Sequence, residues 1–278
     1  MYKRIGVAVA FSPRCEAIIS EAARLQKLFN ATLILIHVGE VQPDEKTYLE
    51  EIVSSSKADK NKLKFVWVKG NPASKILSVG RKEKIDLLVA GALQKESVVK
   101  FYFGSIARKL IRKSNCSILM LINPSDTPKP FKRIVINGTE GENYAESIRH
   151  GIEIGKLEHA VQIHIFKGIK LFGLSMALAG EEESEHEQEE TRREIVGQEI
   201  AEIERILAEM DTKGLKINIK VASGKTGYEL RKFTKKVRAD LLIVKSPEHR
   251  LNLLDRLFPH YLELLMENLP SNLLIDKS

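Results

Sequence analysis

Gly91, Gly104 and Ser105 are the residues of this 278-residue chain best suited to chemistry, and that chemistry is anion binding. Gly91 closes the apolar run Ile85–Ala90 and lets a ligand approach the backbone closely. After twelve intervening residues, Gly104-Ser105 opens an amphipathic segment. The first N–H groups of such a helix have no partner within it and can hold a phosphate. Ser105 adds a hydroxyl donor. Two glycines at loop ends also serve as plain turns, so the pair gains meaning from its place between a buried strand and a helix.

Other reactive side chains read mainly as structure. His37 ends an apolar run close to this loop, where a hydrogen bond to a loop is expected ahead of a ligand contact. Cys15 stands where the first turn of a helix would lower a thiol pKa, but no base or resolving partner lies near it, so a structural role is expected. His186 with Glu182 and Glu190 has the i±4 spacing of a metal site, yet the acidic run Glu181–Glu190 reads as the solvated start of a helix. No metal is expected. The chain shows no Ser–His–Asp set, paired carboxylates or Cys/His metal spacing, so no agent of turnover is visible.

The elements that must position these residues alternate strand and helix. Ile5–Ala10 is an unbroken apolar run, as a strand buried on both faces requires. Ser12 is placed to cap a helix with Pro13 at its first position, burying Ile18, Ala22, Leu25 and Phe29. Strands are expected at Thr32–Val38, Lys64–Val68, Ile85–Ala90 and Cys116–Ile122, with a polar helix around Thr47–Asp59. Asn71 caps a further helix that starts at Pro72, and the one opening at Gly104 is expected to bury Ile106, Leu110 and Ile111. Five strands joined by helical crossovers make a parallel, doubly wound sheet.

The pattern then repeats. Gly70 and Asp86 recur as Gly224 and Asp240, each 154 residues on, and Lys3–Val7 recurs as Lys132–Ile136, 129 residues on. The difference is about 25 extra residues in copy two, holding the apolar piece Leu171–Leu178 and the acidic run. Prolines 124, 128 and 130 mark a linker. The expected domains are therefore 1–123, a linker at 124–130, and 131–278 with an acidic insertion at about 170–195. Copy two repeats the order with strands at Ile134–Asn137, Val161–Phe166, Ile217–Ala222, Leu241–Lys245 and Asn272–Ile275, and helices near Tyr144–Leu157 and Tyr228–Val237. A long helix after the acidic run would bury Val196, Ile200, Ile203, Leu207 and Met210. The loop is not repeated: Gly91, Gln94, Gly104 and Ser105 become Lys245, Glu248, Phe258 and Pro259.

Charge is shared unevenly. Residues 1–122 carry 21 Lys+Arg against 11 Asp+Glu, whereas the remainder carries 23 against 26. The first half thus favours an anionic ligand. Few aromatics accompany the basic residues and no recognition motif does, so nucleic acid is not expected. No apolar stretch reaches the length needed to span a bilayer. With no secretion signal, Cys15 and Cys116 are expected as reduced thiols of a cytoplasmic protein.

The whole chain resembles tandem universal stress proteins. The loop Gly91-x2-Gln94-x9-Gly104-Ser105 resembles that family's nucleotide-binding pattern G-x2-G-x9-G-[S/T]. The opening K-R-I-G-V-A-V-A-F-S and the helix start G-N-P-A-S-K-I-L are similar as well. The resemblance implies two similar α/β domains, each a five-stranded parallel sheet in the order 3-2-1-4-5. It implies that the last strands pair within the chain, Cys116–Ile122 against Asn272–Ile275, with a further homodimer open. It also implies adenine nucleotide binding, ATP or AMP, at Val9, Val38, Ala90, Gly91, Gly104, Ser105 and Ile106. Two departures weaken that site: Gln94 replaces the middle glycine, and Ala10 stands where binding members carry an acid. The function so implied is a stress-response binding protein with a degenerate nucleotide site in its first domain. The alternative is an interaction module, or a holder of a small apolar ligand, whose second domain and insertion meet the partner. An adenylating ligase would need a glycine-rich loop after strand one, and Ala8–Arg14 has no glycine.

Overall fold

The computed structural model describes residues 1–94, 101–139, 144–169, 185–246 and 260–277. Leu171–Leu178, Glu182, Glu248, Phe258 and Pro259 lie outside them, as does the stretch 95–100 of the glycine loop. The described chain forms two compact units, residues 1–130 with 267–278, and residues 131–266.

Unit 1 runs β1 (Arg4–Val9), α1 (Cys15–Phe29), β2 (Thr32–Val38), α2 (Pro43–Ser55), β3 (Leu63–Val68), α3 (Pro72–Lys82) and β4 (Leu87–Gly91). A two-stranded ribbon, β5 (Leu93–Gln94) and β6 (Phe101–Tyr102), leads to α4 (Ser105–Lys113) and β7 (Ser117–Leu121). The main strands are parallel in the order β3-β2-β1-β4-β7, with Val7 opposite both Leu35 and Val89. This is the 3-2-1-4-5 order implied above, and its reversal between β1 and β4 opens a crevice beyond their carboxyl ends. The central strands are buried on both faces, as their unbroken apolar runs require: Ile5, Val7, Leu33 and Ile34 are inaccessible to solvent.

Unit 2 repeats the scheme with β8 (Arg133–Asn137), α5 (Tyr144–Leu157), β9 (Gln162–Ile169), α6 (Glu185–Ala208), β10 (Ile217–Ser223), α7 (Thr226–Lys236) and β11 (Leu241–Lys245). Its strands are parallel in the order β10-β9-β8-β11. After α8 (His260–Glu267), the last strand β12 (Asn272–Asp276) belongs to unit 1, where it runs antiparallel to β7.

The duplication is also written in backbone strain. Gly70 and Gly224 both adopt positive φ, 124° and 134°, immediately ahead of α3 and α7. Left-handed residues end matching helices: Asn30 and His159 at φ 52° and 49°, Lys84 and Arg238 at 50° and 51°. Asn71 caps α3 as its sequence demands, accepting from Ser74 N–H at 3.1 Å. Three local expectations are corrected. Helix α1 starts at Cys15, because Ser12 and Pro13 form a turn in which Ser12 O accepts from Cys15 N–H at 2.9 Å. Helix α2 starts at Pro43, four residues early, where the Glu45 carboxylate accepts from Gln42 N–H. Among the described side chains of α6 the buried ones are Ile203 and Ile206, while Val196, Ile200 and Leu207 are half-buried, as is Met210 just beyond its end.

One buried group makes the stability of unit 2 depend on pH. His164 is 7% exposed, its Nε2 lacks a hydrogen bond, and its ring meets Phe233 edge-on at 5.3 Å. Burial, with the Arg133 charge second, holds its pKa below the ordinary imidazole value. The unfolded chain then takes up the proton first. Stability should be full above about pH 6.5 and fall by at most about 1.4 kcal/mol per unit below it. Urea unfolding at pH 7.5 and 5.5 measures this, and His164→Gln should flatten the difference.

Candidate functional site

Beyond the carboxyl ends of β1 and β4, unit 1 opens into a cleft of about 870 Å³. Its floor is formed by β1, β2 and β4, and its walls by the turn Phe11–Arg14, the start of α3, the β5–β6 ribbon and the first turn of α4. All seven expected positions line it: Val9 and Val38 at strand ends, Ala90 and Gly91 at the end of β4, and Gly104, Ser105 and Ile106 at the mouth of α4. Ile106 was expected in the core; it is 44% exposed, because the face it occupies is the one the cleft leaves uncovered.

The polar character of the cleft comes from few groups. Gly104 precedes α4 with no side-chain cap, and Ser105 is exposed, so the first-turn amides of α4 open toward the cleft. Helix α4 carries Arg108, Lys109, Arg112 and Lys113 and no carboxylate. Among the described residues the cleft lining includes no Asp or Glu. Arg14, absent from the sequence-based set, also lines it: Nη1 donates to Ala92 O at 3.1 Å and the guanidinium lies 5.2 Å from the Phe101 ring centroid. Its position directly after Ser12-Pro13, between the first strand and first helix, was the available signal. His37 places Nδ1 3.3 Å from Val9 O and its ring 4.8 Å from that of Phe11. Cys15 does begin a helix, yet burial, with Glu16 second, pushes its thiol up to about 11. The thiol therefore stays protonated at neutral pH.

Residues 1–121 match the model of the universal stress protein family. The chain is thus similar to the universal stress protein family over its first copy. It is 22% identical to the universal stress protein MJ0531 of Methanocaldococcus jannaschii over 143 residues, 45% of this chain and 84% of that protein. Over nearly its whole length it shares the fold of a universal stress protein from Archaeoglobus fulgidus, at a TM-score of 0.66, 10% identity, and coverage of 99% and 98% of the two chains. Similar again is PA1789 of Pseudomonas aeruginosa, a functionally unknown protein, at a TM-score of 0.70, 16% identity, and coverage of 99% and 93%. At such identities the likeness speaks for the fold.

The second copy of the fold treats the same positions differently. Lys245, in place of Gly91, ends β11 and lies 3.5 Å from Glu146 of α5. Val38 is replaced, 129 residues on, by Lys167. Lys167 is 1% exposed, with Nζ 3.0 Å from Glu199 Oε2, 2.8 Å from Glu202 Oε2 and 4.7 Å from the Tyr144 ring centroid. Burial opposes its charge, but the hydrogen bonds and charges of the two glutamates prevail and raise its pKa. Both carboxylates come from α6, whose 24 residues make it the longer counterpart of the 13-residue α2. A position that is apolar and open to the cleft in unit 1 is therefore ionic and covered in unit 2. Nothing in the spacing of the sequence points to this: a lysine in a strand reads as a surface residue.

Proposed function

We propose that this chain is a cytoplasmic stress-response protein of the universal stress protein family that holds one adenine nucleotide, AMP or ATP, in the cleft of unit 1 and binds it without turnover. The observation that carries the reading is the convergence of the seven family positions on one cleft, with the uncapped start of α4 at its mouth. The apolar ends of β1, β2 and β4 suit a base and ribose, while the α4 amides and the Ser105 hydroxyl suit a phosphate. The cleft's reactive groups are already committed: the Cys15 thiol is held protonated, Arg14 is bound to Ala92 O, and His37 rests against Val9 O. Ala10 and Gln94 remove two of the family's features, so a weaker site than in binding members is expected. Lys167 fills the corresponding position of unit 2, which supports a stoichiometry of one per chain.

Calorimetric titration with AMP and ATP tests the reading, and no heat at millimolar ligand would end it. Ser105→Glu is the matched variant. A carboxylate in the first turn of α4 suits the helix dipole, so stability should hold or rise slightly. The same charge repels phosphate, and affinity should fall at least about tenfold.

A further inference from the structure

Helix α4 presents the anion donors of the cleft at its first turn, and the chain's final residues grip the segment on both sides of that turn. Leu269 N–H donates to Phe101 O at 3.0 Å, fixing the strand that leads into Gly104. Asn272 Oδ1 accepts from Ile122 N–H at 2.9 Å, and β12 pairs with β7 in a register that sets Leu273 opposite Met120. At the other end of the helix, Lys277 Nζ donates to Ile111 O at 3.0 Å and to Ser114 O at 2.6 Å. Lys277 N–H donates to Ser117 Oγ at 2.9 Å, and that hydroxyl donates to Asp276 Oδ1 at 3.3 Å.

The last carbonyls of a helix have no partner inside it, and a cation there complements the dipole. Arg112 and Lys113 stand in the last turn of α4, yet the ammonium that bonds Ile111 and Ser114 comes from more than 160 residues away. A nine-residue helix is a rod of about 13 Å. Held at Ile111 and Ser114 by Lys277, and preceded by a strand held at Phe101 by Leu269, it has little freedom to tilt. We infer that Lys277 is a positioning residue for the anion-binding end of α4, acting through β12 as a splint that fixes where the Gly104–Ser105 amides point. For its ligand this rests on the nucleotide reading above; for its mechanics it does not. The chain enters unit 1 for the second time at Glu267, so the splint is covalently continuous with the last helix of unit 2.

The experiment uses the full chain with Lys277→Met and Lys277→Arg. Hydrogen exchange in ligand-free protein is read at amides 108–114 of α4, with β1 and β2 as internal controls for an intact core. Lys277→Met should raise exchange in α4 at least tenfold while the controls stay protected, and Lys277→Arg should restore protection. AMP affinity, measured in parallel, should weaken at least fivefold in Lys277→Met and return in Lys277→Arg. Unchanged α4 exchange in Lys277→Met overturns the splint. If exchange rises but affinity holds, Lys277 only stabilises the helix and the positioning role is overturned. If the unaltered protein binds no AMP, the nucleotide reading fails by itself and the exchange data still decide whether the splint exists. Should Lys277→Met not fold, Lys277→Gln replaces it: the shorter side chain keeps amide donors but no charge, α4 exchange raised above that of the unaltered protein supports the splint, and unchanged exchange overturns it.

Discussion

Lys167→Met should lower the stability of unit 2 by about 3 kcal/mol, seen as an earlier urea transition. The substitution is close in volume, so little of the loss comes from a cavity. What it removes is a cation that is 1% exposed and ion-paired to two carboxylates of α6 at 3.0 and 2.8 Å. Glu199 and Glu202 would then lose the buried ammonium that both carboxylates meet. Breaking a fully buried pair costs about 3–5 kcal/mol; the low end applies because the Glu202 side chain is 38% exposed and water screens part of the charge. Adding Glu199→Gln and Glu202→Leu to Lys167→Met should recover most of the loss, since a neutral cluster has no charge to strand. Acid should weaken the same contact. The Lys167 hydrogen bond, then that of Tyr144, holds the Glu202 carboxyl below its ordinary range. Its stabilising share is therefore complete above about pH 4.3 and fades as pH falls through the lower folded value. A neutral Lys167→Met would mean that α6 is held by its apolar contacts, Ile203 and Ile206, alone.

How far the sequence could be read varies with the range of the forces involved. Where the cause is local, the reading and the structure agree: Asn71-Pro72 starts α3, Tyr144–Leu157 is a helix with the anticipated bounds, and Ile5–Ala10 is a central strand. The parallel order in unit 1 and the seven cleft positions follow from one motif and the fold it implies. Local signals misled where two of them competed. Ser12-Pro13 is a good helix start, but a tight turn delays α1 to Cys15, and burial reverses the expected lowering of the Cys15 pKa. Illegible throughout were features that depend on partners distant in sequence. Arg14 bridges to Ala92, and Lys167 depends on a helix more than 30 residues ahead. Periodicity reports which face of an element is buried and is silent about what buries it.

The duplicated aspartates give the most direct test of how independent the two copies are. Asp86 accepts from Lys3 N–H at 2.7 Å and Arg4 N–H at 3.0 Å, while its own N–H donates to Arg4 O. Asp240 accepts from Lys132 N–H and Arg133 N–H, both at 2.8 Å, and its N–H donates to Arg133 O. Each carboxylate thus pins the first residues of one strand to the start of its neighbour, setting Ile5 opposite Leu87 and Ile134 opposite Leu241. A one-residue slip there would turn every side chain of β1 or β8 to the wrong face. Hydrogen bonds to a charged group contribute about 1.5–3 kcal/mol each. Alanine at either position should therefore cost about 3 kcal/mol, and Asn, which keeps one acceptor oxygen without the charge, about half of that. The location of the damage separates the copies. Asp86→Ala should loosen β1 and β4 and weaken AMP binding, because both strands form the cleft floor. Asp240→Ala should raise exchange in β8 and β11 by a similar factor and leave AMP affinity within about twofold, as expected for distant, independent sites. Equal loss of affinity in both variants would show that the register of unit 2 reaches the cleft, and the single-unit account of the binding site would then have to be abandoned. The outcome expected here instead keeps the shared aspartate as a device of folding, retained in both copies after their strand ends had diverged into an open cleft and a sealed ion pair.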